Sequence, residues 1–395
     1  MLVIVLWISV TIAAGALAMT IWNLSLFRRA ETDAPASAQS VTVCIPARNE
    51  EANIEACVRS ALASDHPATT VLVYDDQSSD GTGKTLERLR SEDGRVAICP
   101  TRPLLPGWVG KQHGCDQLGR HAHADWLLFI DADVRLSTDC IRRAMSVAGR
   151  LNAVMLSTFP RQITGTLVES LMVPMIHFIL LSYLPFARMR GTNDPAASAA
   201  CGQFILVQRD AYLAAGGHGS VKDSMHDGVK LPRVMRRAGF HTDLFDGTDV
   251  ATCRMYVGAG ATWRGFAKNA YEGLGSPVLL VFLTLLHVLG HLLPWAVLAV
   301  GGAAMAAGVE APLLRPMHLV LASMCAAMNL VQRGVLAHRF SQSQVAAALH
   351  PVGIVMMTLV QWYSFVMHLS GKRSWRGRVA STGGLSGMGA EGAAP

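Results

Sequence analysis

Asp131 and Asp133 end the run Trp126-Leu-Leu-Phe-Ile-Asp131-Ala-Asp133, directly after an apolar stretch. Carboxylates at i and i+2 beyond a buried strand can share a hard divalent cation; Mg²⁺ commonly takes one or two carboxylates together with substrate phosphates. Such a cation offsets charge that develops on a phosphate leaving group. A second acidic group, Asp75-Asp76, closes Val71-Leu-Val-Tyr and leads into Gln-Ser-Ser-Asp80-Gly81-Thr82. Its carboxylates can accept hydrogen bonds from a base or ribose, while Asp80 also suits the cap of a following helix. The third group is Met225-His226-Asp227-Gly228, ahead of a helical stretch. Asp227 either caps that helix or takes the proton of an attacking hydroxyl.

These acids need a scaffold, and the spacing around them predicts one. Val41–Ile45, Val71–Tyr74, Val96–Cys99, Trp126–Ile130 and Gln203–Val207 read as strands. Between them lie helical patterns: Ile54, Val58, Ala61 and Leu62 on one face, then stretches near 83–90 and 111–118, and later Leu231–Ala238. Strands alternating with helices imply an α/β domain whose mostly parallel sheet is flanked by helices. Ligands bind such sheets at the carboxyl ends of the strands, where the acidic groups fall.

Composition adds a second component. Half of the 395 residues are hydrophobic (51%) and only 16% are charged, against about a quarter in soluble domains. No charge occurs from Leu2 to Phe27, after which Arg28-Arg29 closes a run long enough to span a bilayer. Ala36-Ser37-Ala38 is similar to a signal-peptidase site, but the basic pair follows the apolar run instead of preceding it, so residues 1–27 read as an uncleaved anchor and 28–40 as a linker. The positive-inside rule then places the following domain in the cytoplasm of a cell whose inner (plasma) membrane holds the chain. Leu171–Phe186 is apolar but short and broken by Pro174 and Pro185. Were it to cross, Asp227 would be separated from Asp131 and Asp133, so it is expected in the interface or against the domain.

Trp263, Phe266, Ala267, Ala270, Tyr271 and Leu274 share a helical stripe, with Arg264 and Lys268 off it, which suits an interfacial helix over 261–275. Residues 276–370 then hold three charge-poor stretches, expected as transmembrane helices, the first long enough for two short spans meeting near Pro294. The net charge is +6, and Lys372, Arg373, Arg376 and Arg378 against Glu391 account for half of it. A basic cluster after an apolar run is a topology signal rather than a nucleic-acid surface. A cytoplasmic tail requires an even number of carboxy-terminal crossings; three would place it outside. Beyond Val379 the Gly/Ala/Ser-rich end is expected to be disordered. The eight scattered cysteines read as small buried residues in a reducing compartment. His287 and His291, at i and i+4 in an apolar stretch, read as packing hydrogen bonds rather than a metal site.

In this order the motifs resemble glycosyltransferase family 2, the inverting GT-A enzymes, over roughly Val41 to Tyr271. Cys44-Ile-Pro46-Ala-Arg48-Asn49-Glu50-Glu51 resembles the family's opening strand and loop, Gly107-Trp108-Val-Gly110-Lys111 its lysine-bearing segment, and Gly202-Gln203-Phe204 with Gly216-Gly217-His218 its acceptor-side strand and loop. The resemblance implies that Pro46, Arg48, Glu50, Asp75, Asp76, Lys111, Asp131 and Arg254 surround a nucleotide-sugar donor, expected to be a UDP-sugar. Asp133 with Asp131 would hold Mg²⁺ or Mn²⁺. Asp227 would be the catalytic base, and Gln203, Gly216, Gly217, His218 and His226 would lie on the acceptor side. His226-Asp227 replaces the Glu-Asp common among relatives, Arg254 in Cys-Arg-Met-Tyr256 stands in for the later Q-x-x-R-W element, and Pro232 sits close behind the base.

Arg-Met-Tyr256 followed by Phe266-Ala-Lys268-Asn269 resembles the membrane subgroup that glycosylates carotenoids, hopanoids and other lipids, which implies a lipid or isoprenoid acceptor. A processive polysaccharide synthase, or a nucleotide-sugar-binding membrane protein without transfer activity, are the alternatives. A haloacid dehalogenase-type phosphatase would want Thr where Arg135 stands. No G-x-G-x-x-G, Walker A, H-E-x-x-H or G-x-S-x-G occurs, which leaves dehydrogenase, NTPase, zincin and serine-hydrolase readings unsupported.

Overall fold

The computed structural model describes residues 1–309 and 315–370, with a strand pair at Ser374–Trp375 and Arg378–Val379 beyond them. The remaining tail residues, including Lys372, Arg373 and Arg376 and the expected disordered end, lie outside the described residues.

Helix α1 (Leu2–Leu26) leads into alternating β1 (Val41–Ala47), α2 (Ile54–Leu62), β2 (Thr69–Asp75), α3 (Thr82–Glu92), β3 (Val96–Ile98), α4 (Gly110–His121) and β4 (Trp126–Ile130). Then follow β5 (Val134–Leu136), α5 (Cys140–Leu151), β6 (Met155–Ser157), β7 (Arg161–Gln162), α6 (Leu167–Met172), α7 (Met175–Tyr183) and α8 (Phe186–Gly191). The domain closes with β8 (Phe204–Gln208), α9 (Arg209–Ala214), α10 (Asp227–Arg237), β9 (Thr242–Leu244), β10 (Ala251–Cys253) and α11 (Ala259–Leu274). The last helices are α12 (Pro277–Leu286), α13 (Leu293–Ala306), α14 (Pro316–Arg339), α15 (Gln344–Ala348) and α16 (His350–Leu369).

The main sheet runs β3-β2-β1-β4-β8-β6-β9, parallel except where β8 enters antiparallel to β4 and β6. Side chains alternate along each strand, so the apolar runs feed two layers at once. Val43, Ile45, Val73, Leu128 and Ile130 pack under α2, α3 and α5, whereas Cys44, Tyr74, Leu127 and Phe129 pack under α4, α9 and α10. This double burial fixes β1, β2 and β4 in the sheet centre and aims their carboxyl ends, Ala47, Asp75 and Ile130, at one edge. A small second sheet, β5-β10-β7, closes over that edge. Its two- and three-residue strands are too short to carry a periodic signal.

Among the described residues, four helices are long and apolar enough to cross a membrane: Leu2–Leu26, Pro277–Ala306, Pro316–Arg339 and His350–Leu369. The first carboxy-terminal stretch forms one helix, not two meeting at Pro294, because α12 and α13 are joined by a π turn at His287–Leu292. Pro294 falls in the first turn of α13, and the Gly290 carbonyl that a normal residue there would engage accepts from Asn329 Nδ2 at 3.2 Å. His287 and His291 are taken up in packing, with Nδ1 contacts to Thr358 Oγ1 (3.0 Å) and His350 Nε2 (3.1 Å). Helices α6 and α7 pack inward: Met172, Met175 and Phe178 are buried in the cluster that joins the domain to α14 and α16.

Candidate active site

Lys111, in the first turn of α4, is the hub. Its Nζ lies 2.7 Å from Asp131 Oδ1, 3.1 Å from Asp227 Oδ2 and donates to the Gly202 carbonyl at 3.1 Å. The end of β4, the start of α10 and the turn before β8 thus converge on one ammonium. Local sequence explains the closeness. A Cβ on Gly228 would stand 2.4 Å from the Ala200 carbonyl, a backbone atom that leaves room only for glycine, and one on Gly202 would stand 2.2 Å from Asp227 Oδ1 and force that carboxylate aside. Pro232, which lacks an N–H, leaves the Gly228 carbonyl without its helical partner; that carbonyl accepts the Ala200 amide at 2.7 Å instead. The proline therefore ties α10 to the turn carrying Gly202.

The three acids are pushed in different directions. Burial works against Lys111 and Asp227 as ions, but their mutual attraction outweighs it: Lys111 is held well above its ordinary range and Asp227 below. Burial and the Asp227 charge raise Asp131 despite Lys111. Burial first, then the Asp131 charge, push Asp133 up to about 7. Asp133 Oδ1 is buried without a hydrogen-bond partner. Two acids whose ionisation is opposed by burial and by the neighbouring carboxylates, one with an orphaned oxygen, fit a divalent cation in the hardness of their donor atoms. Among the described residues no three His, Cys, Asp or Glu side chains group as a closed metal cage, so phosphate oxygens would have to complete the coordination.

A cavity of about 690 Å³ opens over these groups. Its polar end holds Pro46, Arg48, Glu50, Lys111, Asp131 and Asp133, with Gln203, His226 and Asp227 beside them. From there it continues between apolar walls: Phe159, Ile179 and Leu180 on one side, Phe266, Ala270 and Leu274 of α11 on another, and Met357 and Gln361 of α16 on the third.

Not every residue expected at the site reaches it. Asp75 is spent on its own turn, where Oδ1 accepts the Ser78 amide (3.0 Å) and hydroxyl (2.6 Å). Asp76 is buried beside Arg48, whose guanidinium donates to the Asp76 carbonyl and lies 3.7 Å from its carboxylate. Asp80 accepts the Thr82 amide at the start of α3. Gly216, Gly217 and His218 do not line the cavity: His218 Nδ1 bonds Tyr212 Oη at 2.8 Å and its ring packs on Phe129, behind α4. Arg254 also misses: it follows β10 and turns its guanidinium to Glu169 (3.8 Å). Gln203 is at the site but locked, accepting from Gln162 Nε2 (2.9 Å) and donating to Cys253 Sγ (3.1 Å). Tyr256, Lys268 and Asn269 line the cavity without having been assigned a place there. For Lys268 the signal was its position off the apolar stripe of α11, facing the domain.

Residues 42–214 match the model of glycosyl transferase family 2. The chain is 25% identical over 241 residues to 4,4'-diaponeurosporenoate glycosyltransferase of Staphylococcus haemolyticus, covering 60% of this chain and 63% of that protein. It is 27% identical over 247 residues to the enzyme of the same name from Staphylococcus aureus, covering 60% and 62%. The chain thus spans less than two thirds of the length of these relatives. Its fold is that of a mannosyltransferase from Pyrobaculum calidifontis solved with GDP-Man and Mn²⁺ (TM-score 0.56, 20% identity, 93% of this chain and 99% of that one). The α/β architecture is accordingly the GT-A fold, with apolar helices at both ends of the chain.

Proposed function

We propose, from the family 2 glycosyltransferase domain carried by residues 42–214, that this chain moves a sugar from a nucleotide-sugar donor, a UDP-sugar, to a lipid or isoprenoid acceptor, with inversion at the anomeric carbon. The observation that carries the reading is the single cavity that joins Lys111, Asp131, Asp133 and Asp227 to the apolar walls of α7, α11 and α16. A water-soluble donor and a bilayer-soluble acceptor need such a junction. The names of the staphylococcal relatives point to the same acceptor class.

Asp131 and Asp133 would hold Mg²⁺ or Mn²⁺, which supplies charge to offset the departing diphosphate. The rest is work for the chain's own groups. Pro46, Arg48 and Glu50 border the donor end, and Asp75 and Asp76 shape the turn beneath the nucleoside. Lys111 keeps Asp227 ionised and fixed. Asp227 accepts the proton of the acceptor hydroxyl as its oxygen bonds the anomeric carbon and the bond from that carbon to the diphosphate oxygen breaks. The apolar arm excludes water, which suppresses hydrolysis of the donor. His226 borders the acceptor end as a neutral ring, since burial holds its pKa low.

The basic residues Arg28, Arg29 and Arg339 gather at the domain ends of α1 and α14, where Arg29 and Arg339 pair with Asp246 at 3.5 and 2.8 Å. By the positive-inside rule the domain is cytoplasmic, on the inner membrane of a bacterial cell. The test is incubation of the purified full chain with membrane lipid extract, Mn²⁺ or Mg²⁺ and a panel of nucleotide sugars, followed by mass spectrometry and determination of the anomeric configuration. A glycolipid of inverted configuration supports the reading. Turnover that is unchanged by chelator removes the metal role, and retention of configuration removes the single-displacement role of Asp227.

A further inference from the structure

Length and apolarity alone make α16 a crossing helix, but its contacts run the wrong way. The other three long apolar helices share a common depth scale. At the domain end, Phe27, just past α1, meets Arg339 of α14, whose guanidinium donates to the Phe27 carbonyl at 3.3 Å. Further in, Gln332 donates to the Ala16 carbonyl at 3.1 Å, and a Cβ on Gly290 would touch Ile12 at 2.5 Å. At the far end Leu6, Val297, Leu321 and Ala322 form one buried cluster drawn only from α1, α13 and α14. With a rise of about 1.5 Å per residue, that cluster is about 30 Å from Phe27, a full bilayer core.

A fourth crossing helix that starts after Arg339 would descend this scale from the domain end to the level of Val297. Instead His350, the first residue of α16, already meets His291, midway along the 277–306 helix, at 3.1 Å. Then Thr358 meets His287 at 3.0 Å, Trp362 donates to Thr284 at 3.0 Å, and Ser364 Oγ accepts the Tyr271 amide at 3.0 Å. The ring of His368 lies 4.9 Å from that of Tyr271. As α16 advances, its partners step back from 291 to 271, out of α12 and into α11. It ends where the catalytic domain meets the membrane. Gly353 sits against the Leu171 carbonyl (a Cβ there would be 3.1 Å away), so the start of α16 also lies on the domain-side helix α6.

We infer that residues 350–369 do not complete a crossing of the bilayer but start part-way into it, at the level of His291, and run back to its catalytic-side face, so that the chain crosses three times and the segment after Leu369 emerges on the side of the catalytic domain. Met357 and Gln361 then face the cavity while Val355, Leu359, Trp362 and Val366 are exposed on the other face. The helix is a wall between the lipid and the cavity. That role as a wall for a lipid acceptor rests on the proposed function; the topology does not. It also gives the cluster Lys372, Arg373, Arg376 and Arg378 the same side as Arg28 and Arg29, with an even number of carboxy-terminal crossings, as the positive-inside rule requires.

The test uses the full chain in bacterial membranes with a protease-cleavable tag at one of three places: after Pro395, within 31–39, or within 310–314. In intact spheroplasts the first two tags should survive added protease and the third should be lost; in inverted vesicles the pattern should reverse. Loss of the tag after Pro395 in intact spheroplasts, together with the 310–314 tag, overturns the inference. Ser370→Cys provides a second reading without an insertion: a membrane-impermeant maleimide should label it above the background of the unsubstituted chain only in inverted vesicles. Labelling from intact spheroplasts overturns the inference. Neither readout depends on transfer activity, so a failed topology and a failed enzyme assignment are distinguishable.

Discussion

Replacing Lys111 with Met would remove the charge on which Asp131 and Asp227 converge while preserving most of the side-chain length. The Lys111 Nζ stands 3.1 Å from Asp227 Oδ2. Two unit charges at that distance attract by about 5 kcal/mol in an effective dielectric of about 20, an upper bound from which burial and the repulsion of Asp131 subtract. Opposite charges at such range typically shift a carboxylate by about 1–3 units. Asp227 is held below its ordinary range, against burial, by Lys111; without it, burial and Asp131 raise the group. A base acts only when ionised, so activity is lost as pH falls through its pKa, and raising that pKa moves the loss to higher pH. The acid limb of kcat/KM, which reports the free enzyme, should therefore move up by about 1–3 pH units in Lys111→Met and return toward its original place in Lys111→Arg. The assay is the transfer rate at saturating metal across the pH range, with melting temperature checked for each variant. An acid limb that stays in place while kcat/KM falls uniformly would refute the electrostatic role and leave Lys111 as a donor contact alone.

Other outcomes follow from the same geometry. Gly202→Ala places a methyl 2.2 Å from Asp227 Oδ1, so kcat should fall about 10²-fold while calorimetric affinity for the nucleoside diphosphate stays unchanged; wild-type kcat would contradict the tight contact. Asp133→Asn removes the charge and one carboxylate oxygen of an acid raised to about 7, and Mn²⁺-dependent binding of the nucleoside diphosphate, followed by calorimetry, should weaken by at least about tenfold. Met357→Trp narrows the apolar arm at a cost of about 1–3 kcal/mol, seen as a rise of about tenfold or more in acceptor KM with nucleotide affinity intact. An unchanged acceptor KM would move the acceptor out of that arm.

Much of the scaffold was legible because the central strands are buried on both faces and so read as unbroken apolar runs. Trp126–Ile130 is the clearest case, and it announced Asp131 and Asp133 at its end. The helices over α2, α4 and α10 were legible from their spacing. What the sequence could not carry was lateral contact. Lys111 and Asp227 are far apart in the chain, and their pairing depends on Gly202 and on the carbonyl that Pro232 releases. The family resemblance put Arg254 near the diphosphate, but its guanidinium turns to Glu169, and Gly216, Gly217 and His218 brace the back of α4 instead of lining the cavity. The direction of α16 was equally hidden, since composition measures whether a helix tolerates lipid and not whether it crosses.

The central claim is that one cavity passes a sugar from water to the membrane phase. Its most direct test is a two-phase assay: the purified chain in lipid vesicles containing native lipid extract, a radiolabelled nucleotide sugar, Mn²⁺, and Asp227→Asn as control. The account predicts label that enters the solvent-extractable lipid fraction with the intact chain and remains aqueous with Asp227→Asn. Label that stays aqueous with every nucleotide sugar, or that reaches lipid equally well with Asp227→Asn, would contradict it.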